Sequence, residues 1–229
     1  MSNTPGIFRK KLRRDDWLII VSNLIPVAGV WFLGWSAVDA FIVYALETLI
    51  IGILTVLKLI IATIFRGKDT WHTSGQSSKV SGLFFIIFFI LHFGIFAAVQ
   101  TSIFAGVAGI IPPGRGMMYF FFNWWEYITG DINQMLAGFV ISYFLRDFLP
   151  FILKKEYSSV SMMLIMFQPY GRVVIQQFTV ILGAMFLSFG LGSIFVLIFA
   201  AAKIFVEVFI DFNAVMNRSF EEMEKKSGK

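Results

Sequence analysis

At 229 residues, 58% of them hydrophobic and only 14% charged, the chain carries far fewer charges than a water-soluble domain. A mean hydropathy of +0.79 and 28 phenylalanines indicate a membrane protein with no room for a sizeable domain outside the bilayer. The absence of cysteine excludes disulfides, thiolate catalysis and Cys-ligated zinc or iron–sulfur centres. The net charge of +5 lies in short loops, where it marks orientation and headgroup contact rather than a nucleic-acid surface.

Residues 1–16 form a basic segment with Arg9, Lys10, Lys11, Arg13 and Arg14, suited to anionic headgroups on the cytoplasmic side. The apolar run 17–35 is long enough to span and no small-x-small cleavage site follows it, so it reads as an uncleaved first helix. Runs over 37–65, 80–107, 134–153, 173–190 and 191–213 predict five more spans. Gly34-Trp35-Ser36 and Gly190-Leu191-Gly192 each predict a tight helical hairpin. Arg66, Lys68, Lys79, Lys154, Lys155 and the basic tail 214–229 all fall on one side, with only Arg115 opposite. The positive-inside rule then places both termini in the cytoplasm. The expected fold is an all-α integral membrane bundle of six transmembrane helices. It forms a single domain over 1–229, in a prokaryotic cytoplasmic membrane.

Three pieces do not span. Ile111 to Asp131 holds Pro112-Pro113-Gly114 and the aromatic stretch from Tyr119 to Tyr127, predicting an interfacial helix or short re-entrant element on the outer side. Ser158 to Phe167 is apolar but too short to cross, and is expected along the inner surface. Phe209, Phe212, Met216, Phe220 and Met223 recur at helical spacing and predict an amphipathic rod that packs on that surface or on a second copy of the chain.

Ionisable side chains inside the apolar runs carry the functional reading: Glu47, His92, Arg146, Asp147 and Lys203. Glu47 is ten residues from the outer end of its run, and Arg146 and Lys203 are each twelve from theirs. At 1.5 Å per residue all three fall about 15–18 Å deep. Tyr44, Glu47 and Lys58 share one helix face, and Lys203, Glu207 and Asp211 another. Arg146 and Asp147 point about 100° apart, so one faces the bundle and the other a neighbouring helix. Lys58 is close enough to the inner end to snorkel to headgroups.

These residues predict a midplane polar pocket that binds or passes a small polar solute or ion. Glu47 is its acid, Arg146 and Lys203 are the charge partners, and Tyr44 and His92 are hydrogen-bonding groups. Arg172, Gln176 and Gln177, with Lys58, would line an inner vestibule. Two alternatives compete: an intramembrane or lipid-modifying enzyme using Glu47 and His92 as acid and base, and an accessory subunit whose ion pairs only lock helix register. In that last case Glu47 pairs with Arg146 and Lys203 with Glu207. With two histidines at different depths and no nucleophile elbow, zinc-protease motif or phosphate loop, neither a metal nor a cofactor is expected. Gly94, Ala98, Ser102 and Gly106 form a small-residue stripe suited to close helix packing.

Tyr44-Ala-Leu-Glu47, Lys58, Pro169-Tyr-Gly-Arg172 and Lys203 followed by an acid four residues later resemble a family of uncharacterised prokaryotic multi-pass membrane proteins, classed as a domain of unknown function. The resemblance covers roughly Leu18 to Asn213. It implies the same topology and singles out Tyr44, Glu47, Lys58, Arg172, Lys203 and Glu207, without implying a reaction. Glu207 stands where the family pattern usually has Asp.

Overall fold

Ser36 opens the second helix as its side-chain oxygen accepts the Val38 N–H (3.1 Å), and Gly67 closes it at φ 70°. The computed structural model describes residues 12, 16–73, 76–128, 130–171, 173, 182–183 and 185–210. In chain order the elements are α1 (Asp16–Phe32), α2 (Ala37–Arg66), β1 (Lys68–Thr73), β2 (Gln76–Ser81), α3 (Gly82–Val107) and α4 (Tyr119–Phe122). After them come α5 (Gly130–Leu153), α6 (Met162–Phe167) and α7 (Gly192–Phe209).

Among the described residues, α2, α3, α5 and α7 are long and apolar enough to cross a membrane, while α1 is an apolar helix of 17 residues. The tight turns at Gly34 and Gly190 are present, each with φ 73°, a conformation open to glycine at little cost. Hydroxyls inside the spans bond back to their own helix: Thr55 to Ile51 O (2.8 Å) and Thr101 to Ala97 O (2.7 Å). Polar groups that lipid cannot satisfy are thereby satisfied.

The α2 helix is the axis of the bundle, packing against α3, α5, α6 and α7, while α1 lies against α5 and α7. Its first half is buried on every face from Ala40 to Thr48. A helix that is apolar all round in sequence belongs in the middle of a bundle, and α2 takes that place.

The all-α expectation is corrected at 66–79. That connection forms an antiparallel hairpin, with register from Lys68↔Ser81 to Thr73↔Gln76. Thr70, Trp71 and Thr73 favour strand, and the hairpin gains its support from packing. Trp71 meets Phe84 and Phe88 at 5.2 and 5.4 Å between ring centres. Asp69 pins the other side, accepting from Arg66 (3.0 Å) and from the Met162 N–H at the start of α6 (2.5 Å). Asp69→Ala should therefore cost about 1–3 kcal/mol by leaving the N–H of the buried Met162 without its acceptor. Thermal unfolding in detergent measures this, and a loss below experimental error would show the hairpin to be independent of α6.

The aromatic stretch folds as α4 followed by a 3₁₀ turn, Trp124–Tyr127. Phe120 is buried against Phe104 and Tyr127, and the Tyr127 hydroxyl donates to Ile110 O (3.2 Å). Tyr119 donates to Glu126 (2.6 Å), a bond that holds its phenol above the ordinary value. The predicted amphipathic rod beyond 210 lies outside the described residues, as does most of the run 173–190.

Candidate functional site

Glu47 is fully buried at the level where α2, α5 and α7 meet. Its carboxylate accepts a hydrogen bond from the Tyr143 hydroxyl of α5 and forms an ion pair with the Lys203 ammonium of α7. The same ammonium lies 3.7 Å from Glu207, one turn along its own helix. The Tyr44 and Phe139 rings close the site, with Lys203 Nζ 5.3 and 4.5 Å from their centroids. Tyr44 is wedged edge-on against Phe199 at 4.4 Å. The α2 and α7 stripes predicted from spacing thus meet, and an aromatic box excludes lipid from their charges.

Arg146 is not part of this cluster. The α5 helix begins at Gly130, four residues earlier than the apolar run suggests, so Arg146 lies about 24 Å along it rather than 18 Å. Tyr143 takes the place beside Glu47 instead. Residues 144–148 form a π turn, and the two neighbouring charges leave it toward different helices. Arg146 reaches Asp16 in the first turn of α1 (3.4 Å), a position where the helix dipole also favours the carboxylate. Asp147 reaches Lys58 of α2 (2.6 Å). The expected Glu47–Arg146 pair is therefore replaced by two others. Lys58 does not snorkel either: its side chain is only 5% exposed, and its ammonium lies 5.4 Å from the Phe151 ring centre.

Between the Glu47 cluster and the Lys58–Asp147 pair, the α2–α5 seam is partly polar. A cavity of about 10 Å³ there touches Thr55, Lys58, Tyr143, Asp147 and Gln168, together with Ile51, Leu54 and Pro169. That is near the lower limit for one water, and the lining supplies the polar partners a water needs. On the other side of Glu47, the buried Gln100 amide of α3 makes a long contact with Thr48 Oγ1 (3.5 Å), the residue after Glu47.

His92 is also separate from the cluster. It lies on an exposed face of α3, with Nδ1 2.7 Å from the Tyr170 hydroxyl, so it is not a hydrogen-bonding group of the Glu47 pocket. Arg172, Gln176 and Gln177 lie outside the described residues. A groove of about 460 Å³ runs between α2 and α3 under Phe121 and Trp124. No ionisable side chain lines it, so it is distinct from the charge network. Among the described residues no group of three or more His, Asp or Glu is placed to hold a metal.

Asp16, Tyr143, Thr48 and Gln100 are the members that sequence reasoning missed. Asp16 sits at the edge of the basic N-terminal segment, one residue before the first apolar run. Tyr143 carries a usable signal, being one turn before Asp147 in an otherwise apolar helix.

A model of a family of unknown function, DUF6498, matches residues 7–227. The chain belongs to that family. No curated protein and no solved structure matches it. Of the residues that the sequence resemblance singles out, Tyr44, Glu47, Lys203 and Glu207 form one cluster and Lys58 stands at the other end of the same seam.

Proposed function

We propose that the protein passes protons along the α2–α5 seam, within a bundle that crosses a prokaryotic cytoplasmic membrane six times with both termini inside. The topology rests on four long apolar helices, the shorter α1, the apolar run 173–190 and the one-sided distribution of Lys and Arg. Contact with the lipid bilayer, anionic headgroups at the basic N-terminus and a second copy of the chain belong to the same reading.

One observation carries the proton reading: a buried carboxylate with a phenol donor and a lysine shared by two acids, continued by a polar seam too narrow for a solute. Glu47 and Lys58 are eleven residues apart, about 16 Å, or about half the hydrocarbon core. A cavity of about 10 Å³ admits at most one water. Proton transfer needs no wider path, only hydrogen-bonding groups in sequence. A proton arriving at Glu47 neutralises it, and Lys203 then shifts toward Glu207 without leaving its helix face. Tyr143 both donates and accepts, linking Glu47 to the water site and Asp147 beyond.

The test is proton flux into vesicles that hold the purified protein and an entrapped pH-sensitive dye, driven by an imposed potassium diffusion potential. Wild-type vesicles should acidify faster than empty ones, Glu47→Gln should abolish the difference, and Tyr143→Phe should reduce it. Wild-type flux equal to that of empty vesicles would remove the reading. A structural lock would then remain, favoured by the direct Lys58–Asp147 contact at 2.6 Å.

A further inference from the structure

His92 stands about 4 Å from the middle of α3 and faces outward, although a polar ring in hydrocarbon is costly. The surrounding side chains hold it there. Its ring stacks on Phe88 at 5.4 Å and 8° between planes, and its Nδ1 is bound to the Tyr170 hydroxyl. Tyr170 is in turn set by Phe89, Phe93 and Phe167. A phenol ordinarily donates, which makes Nδ1 the acceptor and leaves the proton on Nε2. Nε2 has no hydrogen-bond partner among the described residues. Among the described residues His92 lines a groove of about 290 Å³ together with Ile95, Phe96 and Val99.

We infer that this groove binds the head of a membrane-soluble quinone, with His92 Nε2–H donating to a quinone carbonyl. Depth selects the ligand class. Ester carbonyls of glycerolipids lie outside the hydrocarbon core, about 15 Å from its middle, and do not reach His92. A quinone on an isoprenoid tail carries its carbonyls inside hydrocarbon, so it satisfies an N–H donor there and remains apolar elsewhere. The groove is at the small end of ligand sites, room for one ring with the tail left in the bilayer. Phe96 supplies a flat aromatic wall for that ring. Binding alone is inferred, independently of the proton reading.

The probe is a benzoquinone with a short isoprenoid tail, added to the full chain in lipid nanodiscs. Affinity is read by equilibrium dialysis, and the imidazole signals are read after ¹⁵N-histidine labelling. The chain has two histidines, so each is separately visible. Saturable binding with a shift of the His92 resonance alone is expected. His92→Phe keeps a flat ring and should weaken binding about tenfold through loss of one hydrogen bond in an apolar site. Val99→Trp, at an exposed position that leaves the fold untouched, should block the groove and weaken binding as much. Absence of saturable binding to wild type overturns the inference. So does affinity unchanged in Val99→Trp, or a long-chain alcohol without a carbonyl binding equally well and shifting the same resonance.

Discussion

Lys203→Met should destabilise the protein by about 3–5 kcal/mol, the usual cost of removing one partner from a buried ion pair. Glu47 is fully buried, and without the ammonium its carboxylate loses its ion-pair partner while the Tyr143 hydroxyl still donates to it. Methionine fills most of the space that the lysine stem leaves between Tyr44 and Phe139, so packing loss is small and the effect is mainly electrostatic. The double variant Lys203→Met with Glu47→Gln should therefore recover much of the stability, because neither charge remains. Denaturant titration of the detergent-solubilised protein measures both. A double variant no more stable than Lys203→Met alone would show that the pair is not the source of the loss.

At the other end of the seam, Asp147→Asn should cost more than Lys58→Met. The two side chains are unequally buried, 5% exposed for Lys58 and 30% for Asp147. Removing the acid leaves a nearly buried ammonium without its charge partner, for about 3–5 kcal/mol. Removing the lysine leaves a carboxylate that is partly wet and settles by hydration or by taking up a proton, for about 1–3 kcal/mol. The same titration ranks the two. Equal losses, or none, would mean that Lys58 reaches the headgroups after all, as its place near the helix end first suggested.

Much of the fold was legible because lipid imposes a simple length rule. The apolar runs 37–65 and 191–213 correspond to α2 and α7 within a few residues, and both glycine hairpins fell where turns were expected. The hairpin over 68–81 was hidden because its strands hold few apolar residues and draw support from Phe84 and Phe88 of the next helix. A turn-favouring Ser74-Gly75 between strand-favouring residues was the available signal.

At the site, shared helix faces were readable and partners were not. Spacing placed Tyr44 with Glu47 and Lys203 with Glu207, since both follow from one helix repeat. Choosing Tyr143 over Arg146 as the α5 neighbour of Glu47 needs the starting residue of that helix. Sequence locates it only to within about a turn, the same distance that separates the two candidates. Assigning Asp16 to Arg146 needs the tertiary arrangement of α1 as well.

The π turn at 144–148 gives this stretch a length requirement. The wide turn takes in one residue more than an α turn, so Arg146 and Asp147 can part toward α1 and α2 while the turns on either side keep their faces. A single-residue deletion within it would let the ladder close in the ordinary α pattern, leave Tyr143 with Glu47 and remove the slack that lets both charges reach their partners. Related chains that keep both contacts should preserve the spacing from Tyr143 to Pro150.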